Sequence, residues 1–124
     1  VDTTGAKQTL YCAGQVSVDA EGTPVHAGDM AAQLNTAFDN LETVLQQAGY
    51  RLADVVRLNY YTTSVGAFSS NGQVVGARLA KGNCRPCSTL LGVAALFHPD
   101  AMIEIEATAV KSVEADQKQP QVHE

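Results

Sequence analysis

Residues 29–49 read DMAAQLNTAFDNLETVLQQAG, and their spacing decides the fold class. Met30, Leu34, Ala37, Phe38, Leu41, Leu45 and Ala48 recur at three- and four-residue intervals, which places them on one face of a helix. Asp29 stands at the N-cap position, where a short carboxylate accepts a free amide, and Gly49 stands where a left-handed residue ends the last turn. Directly after it, ADVVRLNYYTT (53–63) is a run of β-branched and aromatic residues that suits a strand. Tyr60 and Tyr61 are neighbours on that strand and must leave opposite faces, one into the core and the other into an interface or pocket.

Working outward, TLYCAGQVSV (9–18) reads as a strand, and DAEGTPV (19–25), with Gly22 and Pro24, reads as a turn into a second short strand. A second helix is expected over about 65–80, frayed because Gly66, Gly72 and Gly76 each cost roughly 1 kcal/mol relative to Ala. STLLGVAALF (88–97) and AMIEIEATAV (101–110) are two further strands, and His98, Pro99 and Asp100 between them suggest an antiparallel hairpin. The order strand, strand, helix, strand, helix, strand, strand implies an α+β fold, a sheet of five or six strands with two helices on one face. No element remains for the other face, so self-association through it is expected.

The chain of 124 residues suits one domain, expected over 1–112, and the polar, aperiodic segment 113–124 is expected to be a disordered tail. Eight Lys and Arg against thirteen Asp and Glu leave a net charge of −5, and no basic stripe tracks phosphates, which argues against nucleic acid as partner. No run is long and apolar enough for a membrane span, and the first residues lack a signal pattern. Three cysteines are too few and too odd for a secreted framework, so a cytoplasmic protein is expected.

Cys84 and Cys87 form a Cys-x-x-Cys, but Pro86 holds Arg85 extended and a strand follows, whereas a redox pair sits at a helix N-terminus. A zinc site would need two more ligands, and Cys12, His26 and His98 have no partner at ligand spacing. Two ordinary thiols are expected, with no metal and no cofactor. His26, His98 and His123 fall in turns or the tail, where exposed histidine has no role by default. Glu104 and Glu106 alternate with Ile103 and Ile105, so both carboxylates leave one face of a strand. They are either a solvated face or, under a covering subunit, desolvated carboxylates with raised pKa suited to proton transfer. Gly-rich phosphate loops, a Ser-His-Asp order and HExxH are absent from the sequence.

YCAGQVSVDAEGTPV, AAQLNTAFDNLETVLQQAGYRLADVVRLNYYTT and IEIEATAV together resemble the RidA/YjgF family of enamine and imine deaminases across about 9–110. The resemblance implies a chorismate-mutase-like fold and a homotrimer with a central barrel, acting on a small-molecule substrate at clefts between subunits. It also implies that the glutamate positioning the attacking water is Glu104, that the family's Ser-Gly-Gln falls on Ala13, Gly14 and Gln15, so that its serine is absent, and that a backbone carbonyl contacting the substrate nitrogen belongs to Leu90. The family's carboxylate-binding arginine falls on Ser88, or on Thr89 without a gap, and no Lys or Arg occurs between Pro86 and Val110. Arg85, the nearest guanidinium, precedes the proline on the other strand face. Without a bidentate arginine a substrate carboxylate would face Glu104 uncompensated. The expectation is therefore a non-canonical enzyme that hydrolyses an imine or enamine lacking a carboxylate, or runs related acid-base chemistry on such a substrate, with Glu104 and Ser88 as catalytic candidates and Gly14, Leu90 and Arg85 as substrate-binding ones. A non-catalytic metabolite- or partner-binding trimer, or a thiol-based protective protein using Cys84 and Cys87, are the alternatives.

Overall fold

In the computed structural model, which describes residues 1–2 and 4–113, the chain forms β1 (Lys7–Val16), α1 (Met30–Gln47), a 3-10 turn (Leu52–Asp54), β2 (Val55–Thr62), α2 (Val65–Ser70), α3 (Gly72–Lys81), β3 (Cys87–Gly92) and β4 (Ile103–Ser112). The expected tail lies, from residue 114 onward, outside the described residues. The α1 helix forms as its spacing predicts. The Asp29 carboxylate accepts the Ala32 amide at 3.0 Å, and Gly49 takes φ +85° just past the last turn. Its buried face presents Leu34, Ala37, Phe38, Leu41 and Leu45 to Ile103, Ile105, Ala107 and Ala109 of β4 and to Leu58 and Tyr60 of β2.

The sheet is mixed and runs β1-β4-β2-β3. Three sequence expectations are corrected here. First, 88–97 and 101–110 do not form a hairpin: β4 lies between β1 and β2, antiparallel to both, and β3 pairs with β2 in parallel. The physical reason is the crossover, since a strand, helices on one side and a second strand return the chain in the same direction. Second, residues 19–25 add no strand. The Asp19 carboxylate binds the amides of Glu21 (3.0 Å) and Thr23 (2.9 Å), which folds the segment into a local turn, and only an isolated Val18–Pro24 bridge remains. The described sheet therefore has four strands rather than five or six. Third, the second helical region is two helices, α2 and α3, so the described residues form three α-helices rather than two. The break falls at Asn71, whose amide side chain caps the Ala67 carbonyl at 2.8 Å, and not at a frayed glycine.

The helices share one face. Arg78 of α3 ties itself to α1 through Asp39 and Glu42, both at 2.8 Å, and stacks 5.5 Å from the Phe38 ring centroid. On the opposite face the side chains of β4 alternate out of the core, and Tyr11 of β1 is 80% exposed. Among the described residues nothing covers that face.

Candidate functional site

Strand register assigns each candidate to a face. In β4 the buried residues are Ile103, Ile105, Ala107 and Ala109, so Glu104 and Glu106 project from the open face, as their alternation requires. Glu104 stands opposite Tyr61 of β2 and Val16 of β1. Tyr60 points into the core against Phe38 and Phe68 and Tyr61 points outward, so the two tyrosines divide as expected. Gly14 lies in an irregularity of β1 between Cys12 and Gln15. A Cβ placed on Gly14 would overlap the Glu104 carboxylate and stand 2.6 Å from its Cγ, so the absence of a side chain makes the seat that Glu104 occupies.

The two glutamates differ in what they touch. Glu106 Oε1 accepts the Tyr61 hydroxyl at 2.7 Å and the Asn59 amide at 3.0 Å. The Asn59 donor, and then the Tyr61 hydroxyl, hold the Glu106 carboxyl below the usual carboxylate range. The same hydrogen bond, followed by partial desolvation and the charges of Glu106 and Glu104, pushes the Tyr61 phenol up. For Glu106 the direction is thus opposite to the raised value that a desolvated strand carboxylate suggests. Glu104 has no hydrogen-bond partner among the described residues. Arg57 extends the network on the same face, with Nη1 3.4 Å from Asn59 Oδ1 and 3.2 Å from Thr89 Oγ1. Arg57 and Asn59 were not singled out from sequence. The signal was present as the polar alternation Arg57, Asn59, Tyr61, but their partners follow only from register.

Ser88 and Leu90 are placed differently. Ser88 pairs with Leu58 and Leu90 with Tyr60, residues whose side chains enter the core, so both point to the helix side of β3. Strand β2 separates Ser88 from Glu104, a lateral distance of roughly 10 Å, and the two side chains leave opposite faces. One chain therefore brings together Gly14 and Glu104 but not Ser88. Arg85 is exposed and precedes β3. Cys12, Cys84 and Cys87 are free thiols, two buried and Cys87 exposed. Burial pushes the Cys84 thiol up to about 11, and its Sγ sits 3.9 Å from the Val55 carbonyl, an environment that suppresses thiolate chemistry. His98 Nδ1 accepts the Asp100 amide at 3.1 Å, and the His26 carbonyl accepts from Gln33. His123 lies outside the described residues. Among the described residues no group of three or more His, Cys, Asp or Glu is placed to hold a metal, and no helix is long and apolar enough to cross a membrane.

The four-stranded mixed sheet with its helices on one face is an α+β fold that matches Rid and YjgF structures. The E. coli YjgF gene product superposes with a TM-score of 0.73 at 28% identity, covering 90% of this chain and 84% of that one. A Rid family protein of unknown function, YyfB from Yersinia pestis, superposes with a TM-score of 0.74 at 39% identity, covering 82% and 77%. Residues 1–111 match the family described as Endoribonuclease L-PSP, and the chain belongs to that family, the RidA/YjgF family of the sequence resemblance. Its relatives include a RutC family protein of Pyrococcus horikoshii, 30% identical over 82% of this chain and 79% of the relative. Another is the 2-iminobutanoate/2-iminopropanoate deaminase of Escherichia coli K12, 30% identical over 82% and 79%.

Proposed function

We propose that this chain is a hydrolase of imines or enamines that lack a carboxylate, working at clefts between the subunits of a homotrimer in the reducing cytoplasm. The observation that carries the reading is the seat of Glu104: a carboxylate with no hydrogen-bond partner among the described residues, held over Gly14 on a sheet face they leave uncovered, beside a second carboxylate already committed to Asn59 and Tyr61. Glu104 takes a proton from water as the oxygen attacks the imine carbon. The C=N bond becomes single, the nitrogen gains protons, and the C–N bond then breaks to release ammonia or an amine and leave a carbonyl. The deaminase relative in E. coli supports the reaction class. The uncovered face of the sheet supports the trimer, in which a neighbour's Ser88 and Leu90 carbonyl complete the cleft that one chain leaves open.

The substrate class follows from charge. No Lys or Arg occurs between Pro86 and Val110, and the guanidinium on the open face, Arg57, is engaged with Asn59 and Thr89. A 2-imino acid would bring its carboxylate beside Glu104 with nothing to offset it. A net charge of −5 favours a small molecule over RNA. The competing reading, a trimer that binds a metabolite without turning it over, draws on the placement of Ser88 away from Glu104 within one chain. An amine oxidase generating an uncharged imine, with semicarbazide trapping what is not hydrolysed, separates the two. Wild type is expected to suppress trapping and Glu104→Gln to lose that effect. Equal trapping with wild type, Glu104→Gln and no protein would leave only the binding reading. Light scattering reporting a monomer at micromolar concentration would remove the shared cleft.

A further inference from the structure

Strand register sorts the open face into rows that differ in polarity. Glu106 of β4 stands opposite Asn59 of β2, and Asn59 beside Thr89 of β3, so that row is polar across three strands. Two residues along each strand, Glu104 stands opposite Tyr61, and Tyr61 beside Leu91. Paired residues send their side chains to the same face of a sheet, so the Glu104 row continues across β2 and β3 as an aromatic ring and a leucine. Leu91 is 43% exposed there, on the same face as Glu104. Adjacent strands lie roughly 4.8 Å apart, which puts Leu91 about 10 Å from Glu104 with Tyr61 between them.

Tyr61 is fixed at both ends. Its Cα belongs to the middle of the β2 pairing, and its hydroxyl donates to Glu106 Oε1 at 2.7 Å, so the ring leans from the Glu104 row toward the Glu106 row. The Asn59 amide donates to the same oxygen at 3.0 Å and holds that acceptor in place. The reaction just described uses neither Glu106 nor Asn59. What the pair does in the structure is hold an aromatic face beside Glu104, and a ring ordered in advance loses little entropy when a ligand packs on it.

We infer that Tyr61 and Leu91 determine the specificity of the proposed hydrolase by taking an uncharged phenyl or branched alkyl substituent laid across β2, and that Glu106 and Asn59 are positioning residues that hold the Tyr61 ring against it. The assignment rests on the hydrolase reading for the imine carbon at Glu104, but occupation of the row can be measured without turnover.

The test titrates benzyl alcohol into isotope-labelled protein and follows backbone amide shifts, beside kcat/KM for a phenyl-bearing imine and a methyl-bearing one. Saturable shifts are expected at Tyr61, Leu91 and Glu104. Leu91→Ala should weaken that binding by about fivefold or more and lower the phenyl-to-methyl ratio of kcat/KM by a similar factor, through KM rather than kcat. Glu106→Leu should lower the ratio as well by releasing the Tyr61 ring, whereas Glu106→Gln keeps an oxygen for the Tyr61 hydroxyl and should hold the wild-type ratio. Binding at the row that weakens in Leu91→Ala, with neither imine hydrolysed by wild type, would support the subsite and overturn the hydrolase. Absence of shifts at Tyr61 and Leu91, equal binding by wild type and Leu91→Ala, or an unaltered ratio in that variant would overturn the subsite whatever the enzyme turns over. A ratio as low in Glu106→Gln as in Glu106→Leu would overturn the positioning of Tyr61 through its hydroxyl.

Discussion

Replacing Gly14 with alanine should have opposite effects on stability depending on whether Glu104 is present. A Cβ at position 14 would stand 2.5 Å from Glu104 Cδ and 2.6 Å from Cγ. Rotation at the far end of the glutamate cannot clear Cγ, so the side chain must change χ1 or β1 must shift. Forced repacking of this kind costs about 1–3 kcal/mol. Against it stands the gain from removing a glycine inside a strand, about 0.5–1 kcal/mol, since the Gly14 backbone does not require positive φ. Gly14→Ala should therefore destabilise wild type by about 1–2 kcal/mol. In a Glu104→Ala background the clash is gone and the same change should stabilise by up to about 1 kcal/mol. Urea unfolding of the four proteins closes a double-mutant cycle, with an expected coupling of at least about 1 kcal/mol. Additive effects would mean that Glu104 does not rest on Gly14, and the basis for assigning it a held position would go with them.

Three further outcomes are expected. Glu106 titrates lower in the folded than in the unfolded protein, so its contribution is complete above the unfolded carboxylate value of about 4.3 and lost as pH falls through the folded value. Glu106→Gln should accordingly flatten the fall of stability between about pH 5 and 3 in urea midpoints, leaving it unchanged if the network does not form in solution. Gln33 is 1% exposed and serves the carbonyls of His26 and Asp100 and the amide of Met102, so Gln33→Leu should cost about 2–4 kcal/mol, read as a lower thermal midpoint. Ser88→Arg should accelerate hydrolysis of 2-imino acids made by an amino acid oxidase; a rate no different from wild type would place position 88 outside the cleft.

What the sequence disclosed followed from local rules. The α1 helix was legible in full because its period, its Asp29 cap and Gly49 agree, and the opposed tyrosines followed from strand pleat alone. The turn at 19–25 misled because an aspartate side chain binding nearby amides competes with strand pairing, a choice composition does not reveal. The partner of β4 was misjudged because adjacency in sequence favours a hairpin, whereas the helical crossover between β2 and β3 puts β3 beside β2 and leaves β4 to enter the middle of the sheet. The face of Glu104 was legible from the alternation along β4, and its choice over Glu106 only through the resemblance. The Asn59–Glu106–Tyr61 contacts needed the register of two strands 47 residues apart at Asn59 and Glu106.

Of the described strands, the last in chain order is an inner one. β4 carries the buried row that both β1 and β2 pair with, and its register joins Lys7 to Ser112. A nascent chain therefore emerges from the ribosome with β1, α1 and β2 complete and their shared partner still missing. Their unpaired edges and the apolar face of α1 stay exposed until residues past Ser112 clear the exit tunnel, so the sheet closes only once β4 is available. Ribosomes stalled before Ile103 would present an aggregation-prone half-sheet, whereas those stalled far enough beyond Ser112 would display a protease-resistant domain.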